Sequence, residues 1–169
     1  VLEEQIRLQG LNLNVIDTAG IRQTEDLVEK MGVDKAKEYA QKADLIIYVV
    51  DASKKLDEND EKIMELIYDK KAIILLNKSD LKTVVDENLI CEKISNLKKE
   101  AEQTEKSEGQ RYQVSENIPV IQISAKEEQG IQTFQDTLKE MFLRGNISFN
   151  EEIYITNARQ KNALVNALE

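Results

Sequence analysis

Histidine is absent from the 169 residues, which excludes a histidine general base and a histidine-ligated zinc ion. A single cysteine, Cys91, cannot close a disulfide within the chain. No apolar run approaches the roughly 20 residues that span a bilayer, so no membrane partner is expected. Basic charge is in deficit: 23 Lys and Arg stand against 32 Asp and Glu, for a formal charge of -9 and a pI near 4.8. Nucleic acid phosphates need Lys and Arg, so any RNA contact is expected to depend on other polypeptide. The opening VLEEQIRLQG has no charged leader followed by an apolar segment, so no signal peptide is expected and a soluble, cytoplasmic protein follows. At 41% hydrophobic the chain can bury one sizeable core, as one domain with an appendage.

What is present is an alternation of short apolar strands and longer helical patterns. Ile6 and Leu8 alternate with polar residues, Gly10 supplies a turn, and Leu11, Leu13 and Val15 alternate again, which predicts an antiparallel hairpin. LIIYVV at 45–50, AIILL at 72–76 and Ile118 to Ile123 are short apolar runs rich in β-branched residues, the pattern of strands buried on both faces of a parallel sheet. Helical spacing is predicted over about 25–42, 57–69, 86–106 and 128–144, with Gly145 as a C-terminal stop. Cys91 falls in the apolar stripe of the third of these helices and reads as a core residue. The charged stretch 98–117 predicts fraying into a loop. After EEIYI, Asn157 and Gln160 have the spacing of a capping box for a further helix. The class is α/β.

In an open parallel sheet, ligands bind outside the carboxyl ends of the strands. Three apolar runs end there in polar clusters: Asp17-Thr18-Ala19-Gly20, Asn77-Lys78-Ser79-Asp80 and Ser124-Ala125-Lys126. Any one of them alone reads as an ordinary turn, because Asp, Asn, Ser and Gly favour turns for local reasons. All three together, in this order and each at a strand end, point to a ligand site. Asp51, which ends the 45–50 run, reads as a strand-end turn residue.

DTAG, NKSD and SAK resemble the third, fourth and fifth motifs of Ras-like P-loop GTPases, over essentially residues 1–145. That resemblance implies a mostly parallel sheet flanked by helices, truncated at the N-terminus, with guanine nucleotide (GTP/GDP) and Mg²⁺ as ligands. It implies that Asn77 holds its loop and approaches the base, that the Lys78 stem covers one ring face and Lys126 the other, that the Ala125 N–H meets the guanine carbonyl, and that Ser124 steadies Asp80. Guanine offers two adjacent donors, and one carboxylate can accept both. Adenine would set an acceptor against that carboxylate, leaving it unpaired at a cost of roughly 1–3 kcal/mol. Asp17 is implied to reach Mg²⁺ through water, beside Thr18 and Ala19. The Gly20 amide is implied to meet the γ-phosphate, where no Cβ blocks the approach.

DTAGIR, VEKMGV, ADLIIYVVDAS and the tail EEIYITNARQKNALVNALE resemble the tRNA modification GTPase family MnmE (TrmE) most closely. The resemblance implies wobble-uridine modification of tRNA with the flavoprotein MnmG (GidA) and a folate one-carbon unit. It also implies hydrolysis stimulated by K⁺ and by homodimerisation through the switch regions. Glu29 is implied to orient the attacking water, although by itself it is an ordinary exposed helix residue. Arg22 matches a switch position and reads equally as an exposed loop arginine. The expected division is a partial GTPase domain over 1–148, then a linker and the start of a helical domain over 149–169.

No GxxxxGK[ST] loop occurs in the sequence. The resemblance therefore implies that the first strand, the phosphate loop, helix one and the Mg²⁺-binding Ser and Thr lie upstream. This chain alone is expected to bind GTP weakly and hydrolyse it negligibly. An apolar gap is expected between the strands at 11–16 and 45–50, to be resolved by upstream polypeptide, by strand closure in a new order or by dimerisation. Two other readings remain: a Der-type ribosome-assembly GTPase, which shares DTAGIR, and a non-catalytic GTPase-fold interaction module.

Overall fold

The computed structural model of this chain describes residues 2–8, 11–17, 38, 40–105, 117–143 and 152–155. Six strands form one sheet: β1 (Leu2–Leu8), β2 (Leu11–Asp17), β3 (Leu45–Asp51), β4 (Ala72–Asn77), β5 (Val120–Gln122) and β6 (Glu152–Ile155), in the order β1-β2-β6-β3-β4-β5. Three helices follow β3, β4 and β5: α1 (Glu58–Ile67), α2 (Glu87–Glu105) and α3 (Ile131–Leu143). β1 and β2 form the antiparallel hairpin that the alternating pattern predicts, with Leu8 opposite Leu11. Every other pairing is parallel.

The apolar runs are buried on both faces because the pleat sends alternate residues to opposite sides. Leu45, Ile47, Val49, Ile73 and Leu75 join Leu13, Val15 and the α3 residues Phe134, Leu138 and Phe142 in one core. Ile46, Tyr48, Val50, Ile74 and Leu76 join Met64 and Ile67 of α1 and Ile90 and Ile94 of α2 in the other. The chain steps from β3 to β4 to β5 with α1 and α2 on one face. It returns toward β6 in the opposite direction after α3 on the other face, as right-handed crossovers require.

The helix starts are set by side chains. Asp57 Oδ1 accepts from the amides of Asn59 at 2.8 Å and Asp60 at 3.0 Å, while Asp60 Oδ2 accepts from the Asp57 amide at 2.8 Å, a reciprocal capping box. Asp60 also accepts a 2.5 Å bond from the buried Tyr48 hydroxyl, which pins α1 to the sheet. Asp86 Oδ1 caps α2 through the Leu89 amide at 2.9 Å.

The structure departs from expectation in two places: α2 stays helical through residues 98–105, where fraying is expected, and the second concerns the lone cysteine. Cys91 is exposed rather than in the core. The buried stripe of α2 runs through Ile90 and Ile94, and one residue further along a helix turns the side chain about 100° away. Of the three resolutions expected for the gap between β2 and β3, the structure shows one: β6 pairs with β2 through Asn14–Asp17 and with β3 through Leu45–Ile47. This is strand closure in a new order, by a segment that lies past the boundary expected at 148 and inside what reads as linker. Glu38 and Ala40–Lys42 are helical, the described part of the helix expected over 25–42. Gly145, the Asn157 cap and the 158–169 helix lie outside the described residues.

Candidate functional site

The parallel strands all point their carboxyl ends to one rim. Asp17, Asp51 and Asn77 close β2, β3 and β4 there, and Ser124 follows β5. Asp51 and Asn77 face each other in register.

The loops after β4 and β5 are bound to each other, first by backbone. The Ile123 amide donates to the Leu76 carbonyl at 2.9 Å, and the Ser79 amide donates to the Ile123 carbonyl at 3.1 Å. Side chains complete the joint. Asn77, 5% exposed, accepts through Oδ1 from the Lys78 amide at 2.8 Å and from the Ala125 amide at 3.0 Å. Its amide nitrogen bonds to no described residue, and so supplies a near-buried pair of donors at the rim. Ser124, wholly buried, donates its hydroxyl to Asp80 Oδ1 at 2.5 Å and accepts from the Glu127 amide at 3.2 Å. Four expected residues are therefore brought together: Asn77, Asp80, Ser124 and Ala125.

One implied detail differs. The Ala125 N–H, assigned by the resemblance to a guanine carbonyl, is bonded to Asn77 in this structure. A base arriving there has to share that donor or take it from Asn77.

The loop after β5 keeps its shape through backbone choices. Ser124 and Gln129 exchange two 3.0 Å backbone bonds as an isolated antiparallel bridge. Gly130 then turns with φ +74, where an added Cβ would lie 2.2 Å from the Gln122 carbonyl oxygen. Only a residue without a side chain fits that approach. The Gly130 carbonyl accepts from Phe134 at 3.1 Å and so starts α3.

Charge at the rim is arranged around two carboxylates. The Ser124 hydroxyl holds the exposed Asp80 carboxyl below its ordinary value, against some desolvation, with Lys126 and Lys78 adding to the effect. Asp80 is thus an ionised acceptor at neutral pH. Lys126 is 80% exposed and pairs with Glu127 at 3.0 Å, which raises its ammonium pKa together with the nearby Asp80 charge. Asp51, read from sequence as a turn residue, instead accepts from Lys78 Nζ at 2.6 Å and from Ser53 Oγ at 2.6 Å. Burial pushes the Asp51 carboxyl up, but the bonds from Lys78 and Ser53 and the Lys78 charge together bring it below its ordinary value. The signal that could have found it was its place: an acid closing the strand next to the one that ends in Asn77 and Lys78.

Asp17 stands at the same rim two strands away, at the level of Ile155 in β6. Thr18, Ala19, Gly20, Arg22 and Glu29 lie outside the described residues. Among the described residues, no group of three or more His, Cys, Asp or Glu converges as a metal site. No helix among them is long and apolar enough to cross a membrane.

The family model of the elongation factor Tu GTP binding domain matches residues 3–144. The chain is 51% identical over 166 residues to the tRNA modification GTPase MnmE of Lachnoclostridium phytofermentans, covering 98% of this chain and 31% of that protein. It is 41% identical to the proteins of the same name from Clostridioides difficile, over 167 residues, and Alkaliphilus metalliredigens, over 168 residues. Each of these alignments covers 99% of this chain and 32% of the relative. The chain therefore spans about a third of the length of the curated relatives it matches. Matched over 142 of its residues' span, from Glu3 to Arg144, the chain belongs to the elongation factor Tu GTP binding domain family.

Proposed function

We propose that this chain is the guanine-recognising part of the GTP-binding domain of a GTP hydrolase that acts in tRNA modification. The observation that carries the reading is the pair of side-chain bonds joining the two rim loops, Ser124 to Asp80 and Ala125 to Asn77. They hold an ionised carboxylate and a near-buried amide side by side. The two oxygens of Asp80 accept guanine N1–H and the exocyclic amine, and the Asn77 amide nitrogen donates to the acceptors on the opposite edge of the purine. The carboxylate rejects adenine by facing its N1 lone pair.

The chemistry beyond the base is carried by the resemblance and by the names of the relatives. Asp17 would hold Mg²⁺ through water, Gly20 would meet the γ-phosphate, and Glu29, with Arg22 nearby, would serve hydrolysis. Mg²⁺ neutralises phosphate charge when bound, and K⁺ is expected to assist. The whole protein is proposed to act on tRNA in the cytoplasm, to partner MnmG and to dimerise through its switch regions.

Calorimetry with GDP and ADP on the full-length polypeptide tests the reading. GDP is expected to bind at least about 100-fold more tightly than ADP, and Asp80→Ala to abolish that preference. Equal affinity for the two nucleotides in the unaltered protein would end it.

A further inference from the structure

We infer that Asp51 is a positioning residue for nucleotide binding, acting through Lys78 by clamping the lysine stem along the rim where a base lies. The inference rests on the guanine-site reading. It starts from the conformation of Lys78, which holds φ at 68°, a left-handed backbone that a side chain other than glycine adopts only when its surroundings fix it. Two bonds do so. The Lys78 amide donates to Asn77 Oδ1 at 2.8 Å, and its ammonium donates to Asp51 Oδ2 at 2.6 Å.

The sheet register explains why Asp51 is the partner. Asp51 lies directly across from Asn77 on the neighbouring strand, so the residue after Asn77 needs only to lay its stem back over the rim to reach it. The carboxylate is itself held. Its second oxygen accepts from the Ser53 amide at 3.1 Å and the Ser53 hydroxyl at 2.6 Å, which fixes its plane. The Asp51 side chain is 18% exposed and that of Lys78 is 42% exposed, so the ammonium end is drawn inward while part of the side chain stays open to a ligand. Lys54 approaches the same oxygen only at 3.9 Å and is 75% exposed, so it does not replace Lys78.

A lysine side chain has four rotatable bonds, and an unpaired one samples many rotamers. Anchored at both ends, this one presents its methylenes as a ready platform for the flat face of a ring, and the base does not have to order it on arrival. Asp51 thus contributes to affinity without touching the nucleotide. The distinction between guanine and adenine stays with Asp80.

The test is a double-mutant cycle in the full-length polypeptide, reading GDP, GMP and ADP affinity by calorimetry and folding by thermal melting. Asp51→Ala is expected to weaken GDP and GMP by the same factor, about tenfold, with the guanine-over-adenine ratio unchanged. Asp51→Asn keeps an acceptor for the ammonium and is expected to recover about half of that loss on a logarithmic scale. In a Lys78→Ala background, Asp51→Ala is expected to add nothing. A full loss in that background, or an unchanged GDP affinity in Asp51→Ala, would overturn the inference. So would a failure of Asp51→Asn to improve on Asp51→Ala while both variants melt as the parent does. If the unaltered protein shows no preference for GDP, the underlying site reading fails instead.

Discussion

β3 and β4 pair across six residue positions, from Ile46 with Ala72 to Asp51 with Asn77, whereas β6 offers four positions to β2 and three to β3. The first pairing runs up to the rim and delivers Asp51, Asn77 and Lys78 to it as a rigid unit. The second lashes a hairpin to the rest of the sheet through a short strand. Side-chain bonds across the β4 and β5 loops extend the stiff half further, through Asn77, Asp80, Ser124 and Ala125. Exact placement is concentrated at the rim formed by β3, β4 and β5. Asp51 and Asn77 close the long register, and loop bonds fix Asp80, Ser124 and Ala125 beside them although β5 itself pairs with β4 over only three positions.

The contrast can be broken most severely at the tether. Tyr154→Pro removes a ladder N–H from a strand paired on both sides and is expected to cost at least about 3 kcal/mol. Hydrogen exchange should then show loss of protection in β1, β2 and β6 with β3 and β4 still protected. Uniform loss across the whole sheet would show that the two halves are a single cooperative unit. Gly130→Ala attacks the other half, forcing a Cβ against the Gln122 carbonyl at a positive φ, and is expected to cost about 2 kcal/mol in chemical denaturation. Protection in the β1–β2 hairpin should be unaffected. Ser124→Ala is the mildest, a small drop in the denaturation midpoint, since it strips a bond from Asp80 and leaves the Glu127 amide without its side-chain acceptor. Nuclear magnetic resonance shifts confined to residues 77–81 and 123–130 would sharpen the contrast, and shifts spreading to β2 would blur it.

Much of the stiff half was legible in the sequence because its signals are local. Continuous β-branched runs at 45–50 and 72–76 announce strands covered on both faces, and the polar residues after them mark the rim. The nearness of the 77–80 and 124–126 turns follows from parallel neighbours that end on one side. β6 was not legible in this way. Glu-Ile-Tyr-Ile is too short to show a period, and its place between β2 and β3 is a matter of long-range pairing that no local pattern encodes. Asp51 reads as a turn residue because an aspartate at a strand end is an ordinary turn former until its cross-strand neighbour is known. Cys91 shows a smaller failure of the same kind: an apolar stripe narrower by one residue changes which face a side chain occupies.

Joining Asn14 to Glu152 also closes a loop on the order of a hundred residues, so the closure entropy predicts that β6 docks late in folding. Until it docks, the hairpin and the β3–β5 unit are separate islands, and β2 and β3 each show an open backbone margin that any extended peptide of suitable register can claim. The middle of the sheet is thus expected to be sealed last and to reopen first, with hydrogen-exchange protection of β6 as the readout.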